Sequence, residues 1–195
     1  MEYEFGFIYG GLFVLGYCGF IHDYCEKNKI NKLLFLSRDG DILKQVWDFL
    51  YNDIPSGYIL ISRACVRRLS AVVWKKMFLE CAVDRLSTNK RTVTIEQALE
   101  QCELMCLADK LKDYNLSVGM LLSQRQNAVI VSRYRDFIES HMAEIRNEYE
   151  DSNKIYDQYL KSLLSEDDVK VALVDIGWRG VNGTTLEKTI KKTFP

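Results

Sequence analysis

The apolar run Leu33-Leu34-Phe35-Leu36 breaks into Ser37-Arg38-Asp39-Gly40-Asp41, and a second apolar run, Tyr58-Ile59-Leu60-Ile61, follows soon after. Neither run shows sustained alternation, the pattern of strands covered on both faces. Between them Ile42 to Tyr51 predicts a helix with Ile42, Val46, Phe49 and Leu50 on one face. Asn52 to Gly57, with Pro55, turns the chain back. A strand, a helix and a strand in so few residues form a βαβ unit, which requires parallel pairing. Val169 to Val174, with Lys170 as its one polar member, predicts a third buried strand. The fold class that follows is α/β, built on a parallel sheet.

From Ala64 to about Ser165 no comparable strand occurs, so this stretch reads as helical. Thr94-Ile95-Glu96-Gln97 matches a capping box opening a helix toward Leu111. Ile138, Met142, Ile145 and Tyr149, continued by Tyr156, Leu160 and Leu163, predict one long amphipathic helix. Residues 1–63 and 166–195 are therefore expected to form the α/β core, and 64–165 a helical insertion. Ser87 to Arg91 is the best internal linker. Thr184 to about Lys192 predicts a last helix. The chain is expected to continue beyond its 195 residues, or to leave its sheet incomplete, with the edge at Val169 to Val174 open to association with another molecule. The alternative is that Ala128 to Ser132 supplies a closing strand.

With 26 basic and 27 acidic residues the net charge is -1, which lacks the electrostatic footprint of a nucleic-acid binder. Cys18, Cys25, Cys65, Cys81, Cys102 and Cys106 lie in apolar, periodic segments and read as reduced core thiols of a cytoplasmic protein. Cys102 and Cys106, four apart, would share a helix face. Phe5 to Ile21 is nearly all apolar, but it is shorter than the ~20 residues of a span. It is interrupted by glycines and preceded by acidic residues. It reads as a buried helix whose small residues pack closely on a sheet, with no transmembrane segment.

Ligands of parallel α/β sheets sit outside the carboxyl ends of the strands. That rule singles out Asp39, Asp41, Ser62 and Asp175. Gly40 lets the backbone approach a ligand closely. Clustered carboxylates repel unless a cation compensates them. Magnesium, which takes oxygen ligands, suits such a site and suits phosphoryl transfer, with an Asp as nucleophile. Ser62 is placed to donate to a phosphoryl group, and Arg63, Arg67 or Arg68 to bind further phosphate. The plain alternative for Asp39 or Asp175 alone is helix capping. His22 and His141 lie near no candidate nucleophile in sequence. Gly177-Trp178-Arg179-Gly180 marks a tight loop whose amides, entering the last helix, could hold an anion.

At these residues the chain resembles the haloacid dehalogenase-like superfamily. An apolar strand followed by Asp39-Gly40-Asp41, one ending in Ser62 and one ending in Asp175 are similar to its first, second and fourth motifs. Gly-Gly-Leu-Phe-Val-Leu-Gly-Tyr, Phe-Leu-Ser-Arg-Asp-Gly, Ile-Ser-Arg-Ala and Val-Asp-Ile-Gly-Trp-Arg-Gly together resemble a bacterial subgroup. Its members occur in or beside glycosyltransferases of surface-polysaccharide synthesis. The resemblance implies a Rossmann-like parallel sheet with a cap-like helical insertion, and a magnesium-dependent phosphatase or phosphotransferase acting on a sugar phosphate or related intermediate. Asp39 would be the nucleophile, Asp41 the general acid/base, and Ser62 a phosphate ligand. Asp39, the Asp41 main-chain carbonyl and Asp175 would hold Mg2+. The third-motif cation has no clear counterpart; Lys154, Lys161 and Lys170 are the candidates. The competing expectation is a catalytically weak module that docks a glycosyltransferase or assembly partner.

Overall fold

The computed structural model describes residues 4, 6–88, 93–165, 170–177 and 180–194. Trp178, Arg179, Val169 and most of the expected linker at Ser87 to Arg91 lie outside the described residues. The first apolar run forms strand β1 (Lys32–Leu36), buried from Leu33 to Leu36. It is the middle strand of a three-stranded sheet. β2 (Ser56–Ile59) lies on one side and the last strand, β5 (Val171–Val174), on the other, both parallel to it. The protein is thus α/β with a small parallel sheet. The second strand starts and ends earlier than the apolar run suggested. Leu60 lies beyond it and is exposed, while its N–H donates to Tyr159 Oη at 2.8 Å.

Helix α1 (Leu12–Asn28), preceded by a wider π-helical turn at Gly6–Gly11, packs on the sheet together with α2 (Gly40–Leu50). Cys18, Ile21, Cys25, Leu33, Phe35, Leu43, Trp47 and Val174 make one core. Two expectations fail here. The first helix is not buried. Only its Cys18, Ile21 and Cys25 side is covered, and Phe7, Leu12, Phe13 and Phe20 stand in solvent. A Cβ added at Gly6, Gly10 or Gly16 would meet nothing within 4 Å, so these glycines do not serve close packing. A helix on a sheet is covered on its far side only when a further layer stands outside it. In α2 the buried side chains are Leu43 and Trp47, with Val46 partly buried against the same core, whereas Ile42 and Phe49 are exposed. The reason lies at the helix start: a Cβ on Gly40 would stand 3.0 Å from the Phe35 carbonyl carbon. That close approach sets the rotation of α2 on β1, one residue away from the face chosen by hydrophobicity.

Packing divides the chain into two units, 1–62 with 159–195 and 63–158. The second is helical: α3 (Arg63–Val73), α4 (Lys75–Leu79), α5 (Arg85–Thr88), α6 (Ile95–Cys102), α7 (Ala128–Ser140), α8 (Met142–Glu148) and most of α9 (Glu150–Leu163). The last turns of α9 belong to the sheet unit, where Lys32 Nζ donates to the Leu163 carbonyl at 2.7 Å. The Thr94 capping box is present with both of its hydrogen bonds. Its helix ends at Cys102, because Glu103 turns left-handed at φ 58. Cys106 falls in a following 3-10 segment, Met105–Tyr114, so it shares no helix face with Cys102. The stretch also holds a two-residue antiparallel pair, β3 (Val93–Thr94) with β4 (Leu121–Leu122). Ala128 to Ser132 opens α7 and is no strand.

The long helix from Ile138 is broken at His141 and Tyr149, where ψ rises to 16 and 0. Ser140 Oγ takes the Asp136 carbonyl and the His141 ring engages the Phe137 carbonyl, competing with the helical ladder. The breaks keep Phe137, Ile138, Met142, Ile145 and Tyr149 within one core. The final helix, α10, spans Val181–Thr193. All six cysteines are free; Cys18, Cys25 and Cys102 are buried, and Cys106 is exposed. Among the described residues no helix is long and apolar enough to cross a membrane.

Candidate functional site

The carboxyl ends of β1 and β5 are neighbours, because Phe35 pairs with Val174 in register. Asp175 follows that register directly. Asp39 is the third residue after β1 and directly precedes α2. Both therefore stand at the same end of adjacent parallel strands, where the backbone of an α/β sheet leaves room for a ligand. β2 flanks β1 on the other side and leads to Ser62. Ser37 fixes this arrangement: its N–H donates to the Ile59 carbonyl at 3.0 Å. Its hydroxyl donates to the Ile61 carbonyl and accepts from the Ile61 N–H, both at 2.8 Å. The residue next to Ser62 is thereby clamped to the end of β1.

Asp39 occupies the N-cap position of α2 but does not cap it. Its backbone is already helical, at φ -64 and ψ -26, and its side chain makes no capping hydrogen bond. Among the described residues its exposed carboxylate has neither a hydrogen-bond nor an ion-pair partner. Asp41, in the first turn of the helix, accepts from Gln45 Nε2 at 3.0 Å. The i,i+4 spacing of Asp41 and Gln45 is the local signal for this contact. Gly40 is buried between them against Phe35.

Asp175 is half-buried. Its Oδ1 accepts from the Gly177 N–H at 2.9 Å, a turn of the chain on its own side chain. A Cβ at Gly177 would come within 2.7 Å of that carboxylate, so a larger residue there would push the Asp175 side chain aside. Tyr17 of α1 is near: burial, and then the Asp175 charge, push its phenol up. Sequence reasoning did not find Tyr17, since nothing local links the first helix to the last strand.

Arg63 is exposed and is the first residue of the helical unit. Arg68 is held by Glu103 through a two-pronged ion pair, and Arg67 Nε is buried. Lys170 lies at the start of β5, the opposite end from Asp175, where its Nζ donates to the Asn28 carbonyl at 3.0 Å. That position rules it out as the missing cation. Lys154 pairs with Glu150 at 2.7 Å.

Among the described residues, one group of three or more possible metal ligands has all its ligand atoms within 4.8 Å of one another: His22, Asp23 and Glu26 on α1. His22 there already meets Asp53 Oδ2 at 3.0 Å and stacks on Tyr51. Asp39, Asp41 and Asp175 do not form such a group. No protein-family model matches the sequence, and no match is found among curated proteins.

Proposed function

We propose that the strand ends carrying Asp39 and Asp175 form a magnesium-dependent phosphoryl-transfer site, acting on a sugar phosphate or related intermediate. The observation that carries this reading is Asp39: an unpartnered carboxylate just past the carboxyl end of the central strand, at the same end of the sheet as Asp175, which follows the adjacent parallel strand. The donors on offer are all oxygens, which fits a hard divalent cation. Asp39, Asp175 and the Asp41 carbonyl would hold it, and its charge would offset the repulsion between carboxylate and phosphate. In the reaction an Asp39 oxygen attacks phosphorus, and the bond from phosphorus to the substrate oxygen breaks. Asp41, oriented by Gln45, gives its proton to that leaving oxygen. Water then attacks the aspartyl phosphate, Asp41 takes back a proton, and phosphate departs. Ser62, positioned by the Ser37 clamp, donates to a phosphoryl oxygen.

A second reading, a catalytically weak module that docks a glycosyltransferase or assembly partner, is favoured by one observation: Lys170 is spent at the wrong end of the sheet. The test is a screen of sugar phosphates with and without magnesium on the parent chain and on Asp39→Asn. Magnesium-dependent turnover in the parent and its loss in a folded Asp39→Asn are expected. Retained turnover in the variant would exclude Asp39 as nucleophile. An inactive parent would leave the docking reading.

A further inference from the structure

The outward face of α1 and of the π-helical turn before it plays no part in that chemistry and is strongly apolar. Phe7, Tyr9, Leu12, Phe13, Phe20 and Tyr24 are between 50% and 73% exposed. Taking about 200 Å² for each such residue fully exposed, they leave roughly 700 Å² of apolar surface in water. That exceeds the patch of a few hundred Å² usual on a monomer. It approaches the roughly 800 Å² that each partner contributes to a specific interface.

The pattern on this face fits a helix. Phe13, Phe20 and Tyr24 are exposed on it and Tyr17, partly covered by the sheet core, lies along its edge; the four recur at spacings of four, three and four. Their rings follow one another along α1 with centroids 6.0, 6.4 and 6.3 Å apart. A repeat averaging 3.5 residues is the seam along which one helix meets another. Charge separates the occupants further. Gly6 to Ile21 carries no charged residue. The charges bordering it are Glu4, Asp23 and Glu26 against Lys27. A helix lying in a bilayer surface draws on Lys and Arg around its apolar face, and an anionic leaflet repels an acidic border. A second copy meets no such penalty, since two uncharged rows bring no like charges together.

We propose that α1 is a homodimerisation helix, two copies of the chain packing this face together about a two-fold axis. The test is the mass of the full chain by sedimentation and light scattering over a wide concentration range, with far-UV circular dichroism to check folding. The parent is expected to reach twice the 22.7 kDa of one chain. Phe20→Glu and, independently, Phe13→Glu are expected to weaken association on the order of a hundredfold. Ile155→Glu, at an exposed apolar residue of α9, is expected to leave it unchanged. A parent that stays monomeric at every concentration would overturn the proposal. So would a dimer indifferent to both Phe variants, or a monomer that floats with phosphatidylcholine vesicles.

Discussion

Replacing Gly40 and Gly183 by Ala is one chemical change made in two helices of the same unit, and opposite outcomes are expected. In a helix, Gly→Ala ordinarily stabilises by about 0.5–1 kcal/mol through backbone entropy. At Gly183, in α10, an added Cβ meets nothing within 4 Å, so the full gain is expected. At Gly40 the same atom would lie 3.0 Å from the Phe35 carbonyl carbon and 3.1 Å from its Cβ. Phe35 cannot yield easily: it is fully buried in a strand hydrogen-bonded on both sides. Overpacking against such a neighbour costs about 1–3 kcal/mol. Net destabilisation of up to about 2.5 kcal/mol is expected once the helix gain is subtracted. Because α2 must lift from β1, the Asp39 turn moves with it, and any turnover should fall as well. Urea unfolding followed by circular dichroism reads both variants, the midpoints being compared at equal slope. If Gly40→Ala unfolds at the parent's midpoint or above it, the contact with Phe35 does not set the seat of α2.

Thr94→Ala removes the capping-box bond from the Gln97 N–H to the Thr94 hydroxyl, while the residue-94 N–H can still donate to Gln97, and is expected to cost about 1 kcal/mol in the helical unit, with Thr94→Ser recovering most of it; equal midpoints for Ala and Ser would refute this. At Asp48, burial opposes ionisation, but hydrogen bonds from Lys44 and Ser56 outweigh it and hold the carboxyl below its usual range. A lowered folded pKa gives stability that is present above the unfolded value near 3.9 and is lost as pH falls through the folded one. The gap in Tm between parent and Asp48→Asn should therefore close on acidification from about pH 5 to 3. It should correspond to less than about 1 kcal/mol for so exposed a pair; a gap that stays constant with pH would sink the assignment.

The sequence by itself determined what depends on neighbouring residues. The apolar run before Asp39 had to be a strand, its short return through Pro55 had to make a parallel partner, and Thr94 with Gln97 had to open a helix. The strand-end positions of Asp39 and Asp175 could be read the same way, because a polar residue closing an apolar run marks where a strand emerges from the core. Tertiary structure decided everything that depends on which surface meets which. β5 could have taken either side of the sheet; its place against β1 is what sets Asp175 beside the Asp39 turn. The buried face of α2 was settled by the seat of Gly40 on Phe35 rather than by its most apolar side. The breaks at His141 and Tyr149 arose because one core had to receive side chains that a straight helix would carry past it. For α1 the sequence offered two apolar faces, and only the sheet could choose between them. Periodicity records which side chains share a face, while coverage of that face depends on residues far away in the chain.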